Sequence, residues 1–169
     1  MKTRFILVTI SAALLAFGCG KKDASSSAST ASSTAAPAAQ AAGPRSYELT
    51  AGDTMKFNVT TLEAKPGEEV KVTLTNIGAQ PKEAMGHNFV LLKKGVDATA
   101  FATAAMTAKD TDYIPAARKD DIIAHTELLG PRKSAEITFK APTEPGEYTF
   151  LCSFPGHFMA GMKGVLVVK

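Results

Sequence analysis

From Met55 to the C-terminus the chain is a succession of short runs in which apolar and polar residues alternate or β-branched residues cluster. A period of two suits strands and frustrates helices. The runs are MKFNVTTLEA (55–64), EVKVTLTNI (69–77), HNFVLLKK (87–94), SAEITFKA (134–141), GEYTFLC (146–152) and KGVLVVK (163–169). In the second, Val70, Val72 and Leu74 face one way while Lys71 and Thr73 face the other. In the fifth, Tyr148, Phe150 and Cys152 share a face opposite Thr149 and Leu151. Turn chemistry separates the runs at Lys65-Pro66-Gly67, Gly78 to Pro81, Gly130-Pro131 and Glu144-Pro145-Gly146. This pattern predicts an all-β domain over 44–169, a Greek-key β-sandwich of two antiparallel sheets. The exception is DATAFATAAMTAKD (97–110), whose alanines and spacing predict one short helical excursion between strands.

The N-terminus has a different logic. Lys2 and Arg4 precede an almost wholly apolar stretch from Phe5 to Phe17, which has the length of a signal-peptide core and is too short to span a bilayer. It ends in LAFGCG, where apolar or small residues before Cys19 resemble a bacterial lipoprotein signal. Residues 1–18 are therefore expected to be removed, leaving Cys19 lipidated and the protein periplasmic or at the cell surface. An ordinary cleaved export signal is the alternative. The Ser/Ala/Thr-rich segment up to Gly43 has no apolar period and reads as a flexible tether, able to hold a domain roughly 25–30 Å from its anchor.

Charge excludes one class of partner. Of 19 Lys and Arg residues, Lys2, Arg4, Lys21 and Lys22 precede Pro44, as does Asp23 among 16 acidic ones; the folded part is thus neutral. Neither a basic run nor aromatic–basic interleaving marks a nucleic-acid interface.

Chemistry concentrates in LCSFPGHFMAGMKGV (151–165), where Cys152, His157 and Met162 stand five residues apart on a loop broken by Pro155, Gly156 and Gly161. The chain has 2 cysteines, and with Cys19 lipidated Cys152 would be a lone thiol in an oxidising compartment unless buried or bound. A Cys/His nucleophile needs an orienting third group, which the loop lacks, and it would leave Met162 without a role. Zinc disfavours a thioether. Thiolate, imidazole and thioether together suit copper, and a trigonal His₂Cys set with a long axial Met is the blue-copper arrangement. The second histidine must come from elsewhere. His87 in AMGHNFVLL, with Gly86 to admit a carbonyl and Asn88 to tie loops, is preferred to His125 in IIAHTELLG, whose neighbours Thr126 and Glu127 look exposed.

AMGHN, IIAHTELLG and CSFPGH…MKG, in that order and approximate spacing, resemble the azurin-like blue copper proteins of the cupredoxin family over residues 46–169. The resemblance implies one copper ion cycling between Cu(I) and Cu(II), held by His87, Cys152 and His157, with Met162 as weak axial ligand and the Gly86 carbonyl opposite. It leaves His125 on the surface. It further implies that Asn88 holds the ligand loops together and that the Phe154 N–H donates to the Cys152 sulfur, while Pro155 withholds a second donor.

The implied activity is one-electron transport, not catalysis, by a monomer at a membrane surface. Copper storage or delivery in the same envelope is the alternative. Met85, Phe158, Met159 and Ala160 would form an apolar docking patch around His157. A c-type cytochrome or a copper oxidase or reductase would be the partner. Four positions depart from azurin. The His157–Met162 spacing is one residue longer, as in auracyanins and plastocyanins; the usual disulfide is missing; Phe89 replaces the core tryptophan; and Asn76 replaces a titrating histidine.

Overall fold

In a computed structural model, residues 43–169 are described; the expected signal segment, Cys19 and nearly all of the expected tether lie outside them. Eight strands form two sheets: β1 (Arg45–Ala51), β2 (Thr61–Ala64), β3 (Glu69–Asn76), β4 (Val90–Leu92), β5 (Ile122–His125), β6 (Ser134–Lys140), β7 (Gly146–Leu151) and β8 (Lys163–Val168). One sheet runs β1-β3-β6 and the other β2-β8-β7-β4-β5. The sandwich is as expected, but its sheets are mixed. β1 lies parallel to β3 and β2 parallel to β8, while the other pairings are antiparallel. Consecutive strands β1, β2 and β3 alternate between sheets, so β1 and β3 meet without a hairpin and run the same way.

The first expected strand is shorter than its pattern. Met55 takes φ 54° in a turn closed by its N–H on the Gly52 carbonyl (2.9 Å), and Phe57 is pinned into the core opposite Ala51. Residues 55–60 therefore carry the chain between sheets, and only Thr61–Ala64 pairs as a strand. Arg45–Ala51 and Ile122–His125 are strands that the run-by-run reading leaves out.

Alternation is realised as burial. Val70, Val72 and Leu74 are fully buried against Leu49, Leu62, Phe89, Phe150 and Leu166 in the core between the sheets. Each such side chain contributes about 1.5–3 kcal/mol relative to an exposed one. Tyr148, Phe150 and Cys152 point into the same core, while Leu151 faces outward to a second cluster with Val90, Leu92, Phe101, Ile114 and Phe158. That outer cluster explains the helical excursion. β4 is buried on both faces, and α2 (Ala98–Ala105) lays Phe101 over its outer side. The Asp97 side chain caps α2, accepting from the N–H groups of Thr99 (2.8 Å) and Ala100 (3.1 Å). The other helix, α1 (Lys82–Met85), is a single turn leading into His87. No helix among the described residues is long and apolar enough to cross a membrane.

Candidate metal centre

Three chain segments converge at one end of the sandwich. The first leaves α1 through Gly86, in extended conformation, to His87. A Cβ on Gly86 would lie 2.7 Å from the Lys82 carbonyl and 2.8 Å from Leu128 Cγ, so only glycine fits. His87 is then locked by reciprocal backbone bonds with Leu129: its N–H donates to the Leu129 carbonyl (3.1 Å) and its carbonyl accepts the Leu129 N–H (2.7 Å). The second segment is the end of β7, where alternation turns Cys152 inward. The third is the loop from Ser153 to Met162. Gly156 (φ 83°) and Gly161 (φ 91°) allow its tight turns, closed by Met162 N–H on the His157 carbonyl (2.9 Å) and Cys152 N–H on the Met162 carbonyl (3.1 Å).

The donor atoms of His87, Cys152 and His157 all lie within 4.8 Å of one another, with Cys152 Sγ 3.5 Å from His157 Nδ1. N and S donors bound to one first-row metal at about 2.0–2.3 Å in a trigonal plane stand about 3.5–4 Å apart. The Sγ–Nδ1 separation matches an edge of that triangle. The two imidazole rings face each other at 4.9 Å between centroids, and the Gly86 carbonyl is 4.0 Å from Sγ. Met162 is fully buried in the same core.

Burial makes the cluster costly unless something binds it. His87 and Cys152 are inaccessible and His157 is 2% exposed, yet neither ring nitrogen of His87 has a hydrogen-bond partner of good geometry. Orphaned buried polar atoms are disfavoured by about 1–3 kcal/mol each. Burial pushes the Cys152 thiol up to about 12, against the opposing pull of the Asn88 and Phe154 backbone N–H groups. It pushes His157 down to about 4, with help from the nearby His87 charge. His87 is also lowered, chiefly by burial, although the Gly52 carbonyl and Asp53 favour its protonated form. Two neutral imidazoles and one thiol that would give up its proton form a soft-metal donor set.

Around it, Asn88 joins two of the segments. Its Oδ1 accepts the Ser153 N–H (2.9 Å), and its Nδ2 donates to Ser153 Oγ (2.8 Å) and the Asp112 carbonyl (3.3 Å). Phe154 stacks on the His157 ring at 4.6 Å and meets Tyr113 edge-on. Ser153, buried and paired to Asn88, was not singled out in the sequence, since nothing marks a serine after a cysteine. The Asn88 backbone N–H likewise pulls the Cys152 thiol down, an influence that Pro155 does not remove.

His125 stands apart from the cluster, exposed on β5 with Nδ1 against the Thr126 carbonyl. Thr126 corrects its expected exposure: it is 4% exposed, and its hydroxyl accepts the Phe89 N–H (3.0 Å). Asn76, at the end of β3, donates to the Leu129 carbonyl (3.0 Å) and accepts the Gly78 N–H (2.8 Å), bracing the strap behind His87. Of the expected docking patch, Met159 is 75% exposed, Ala160 is exposed and Met85 half-buried. Phe158 differs. It is buried in the outer cluster beneath α2, with the Lys163 ammonium 4.7 Å from its ring centroid.

The family model for copper-binding proteins of the plastocyanin/azurin family matches residues 45–169. The chain belongs to that family. Copper is its cofactor, and the His87–Cys152–His157 cluster is where the donors for it gather. Among its relatives, azurin of Alcaligenes faecalis is 38% identical over 122 residues, which is 70% of this chain and 93% of that azurin. Outer membrane protein H.8 of Neisseria meningitidis is 38% identical over 120 residues, covering 69% of this chain. Auracyanin-B of Chloroflexus aurantiacus is 36% identical over 119 residues, covering 70%. The match spans 63% of the length of H.8 and 49% of that of auracyanin-B. In structure, the dithionite-reduced auracyanin of Roseiflexus castenholzii superposes with a TM-score of 0.66 at 36% identity, over 73% of this chain and 96% of that one. The family thus has the cupredoxin sandwich found here.

Proposed function

We propose that this protein is a one-electron carrier built on a type 1 copper centre and held at a bacterial membrane surface. The observation that carries the reading is the buried His87–Cys152–His157 triangle with both His87 nitrogens unpartnered. Bound copper supplies a Cu(I)/Cu(II) couple. The chain supplies the rest. His87, Cys152 and His157 would hold the ion, with the buried Met162 thioether and the Gly86 carbonyl as further, weaker donors. Asn88 and Ser153 fix the separation of the ligand segments, so the donor set resists rearrangement as charge changes. The Asn88 and Phe154 N–H groups draw electron density from the Cys152 sulfur. The core seals the set from water.

Docking to a c-type cytochrome or a copper oxidase or reductase would use the exposed Met159 and Ala160, with Met85 beside them. A half-reduced sample should show fast electron self-exchange by NMR line broadening and reversible one-electron voltammetry. Copper released on each reduction would instead make the protein a store or delivery vehicle.

The membrane part rests on the lipoprotein-like LAFGCG segment and is supported by a relative named as an outer membrane protein. Cys19→Ala should move the protein from the membrane fraction to the soluble one. Unchanged partitioning would remove the lipid anchor from the proposal.

A further inference from the structure

Lys56 lies outside the donor cluster and outside the metal-ligand motifs, yet its ammonium donates to the carbonyl of Ala160, inside the loop between His157 and Met162. No backbone N–H among the described residues donates to that carbonyl, whereas the loop's other turns are closed internally. Ala160 N–H bonds to Gly156, Gly161 N–H to Phe158 and Met162 N–H to His157, each at 2.9 Å. The loop is shaped around the lysine. A Cβ at Gly161 would stand 2.6 Å from Lys56 Nζ, so glycine there clears the ammonium's path as well as permitting φ 91°. The lysine is equally well placed from its own side. The Gly52–Met55 turn precedes it, and Phe57 after it is buried 5.5 Å from the Phe150 ring, which forces Lys56 outward along the sandwich edge. Among the described residues no carboxylate forms an ion pair with Lys56, so its charge is directed at the loop.

We propose that Lys56 is a positioning residue for the copper-binding loop: its bond to Ala160 holds the segment carrying His157 and Met162 in its ligand-presenting form. The role in copper binding rests on the electron-carrier reading; the role in loop order does not. A longer His-to-Met segment has one more peptide to satisfy, and a charge-assisted bond from outside the loop does so without demanding another internal turn. The same positive charge disfavours Cu(II) relative to Cu(I), which raises the reduction potential.

The test compares Lys56→Met with Lys56→Arg in metal-free and copper-loaded protein. In metal-free protein, Lys56→Met should speed amide exchange at Gly161 and Met162 about tenfold, the factor set by roughly one charge-assisted hydrogen bond at a solvent-facing site. Exchange in β3 should stay unchanged. In the loaded protein, copper loss to a chelator should accelerate by a similar factor and the potential should fall, while Lys56→Arg restores parental values of exchange and copper retention. Unchanged loop exchange in Lys56→Met, or an arginine variant as loose as the methionine one, overturns the proposal. If the parent takes up no blue copper, the carrier reading falls while the exchange data still decide the role of Lys56.

Discussion

Cys152→Ser should abolish the blue absorption of the copper-loaded protein completely while leaving the far-UV signature of a β-sandwich intact. The colour of such a centre is thiolate-to-Cu(II) charge transfer, and Cys152 is the thiol the fold delivers to the cluster. Nothing about folding requires the sulfur. The side chain is small, sits at the end of β7 and has its backbone held by the Met162 carbonyl. A hydroxyl in its place is a weaker, harder donor, so any copper that binds should do so more loosely and without intense colour. A blue band that survives the substitution would contradict the assignment outright.

The second large effect is structural. Asn88→Leu keeps the branched side-chain shape and removes both ends of the tie to Ser153, stranding a buried N–H and a buried hydroxyl. A loss of about 2–4 kcal/mol is expected, because stranding both partners of a satisfied buried network costs more than one hydrogen bond. It should appear as a lower urea midpoint of the metal-free protein with an unchanged slope. Copper affinity should drop by about 10–100-fold, the usual penalty for removing a group that orients metal ligands. A variant as stable as the parent, with unaltered affinity, would show that the ligand segments keep their spacing without Asn88.

The residues that were legible in the sequence share a property: their meaning is local. Cys152, His157 and Met162 are spaced on one loop, and alternation alone aims Cys152 into the core. Val70, Val72 and Leu74 declare their face in the same way. What was illegible depends on partners distant in the chain. Alternation says which face a residue takes but not the direction of the neighbouring strand, so the parallel pairing of β1 with β3 was hidden. β5 is a strand because β4 offers it an edge, and its four residues carry little signal of their own. Phe158 looked like a surface residue because its loop is short and glycine-rich. Its burial comes from α2 and β4, more than 50 positions earlier by the numbering of Phe101 and Val90. Thr126 looked exposed beside Glu127, yet its hydroxyl serves the N–H of Phe89 across the sheet. Lys56 was invisible for the same reason: its acceptor lies 104 residues away.

The most direct measurement is the optical and EPR spectrum of the purified protein with one equivalent of Cu(II). An intense blue band that bleaches on reduction is expected, with the compressed copper hyperfine splitting of a thiolate-bound type 1 site. A pale sample with the wide splitting of ordinary tetragonal Cu(II), or no bound copper, would contradict it.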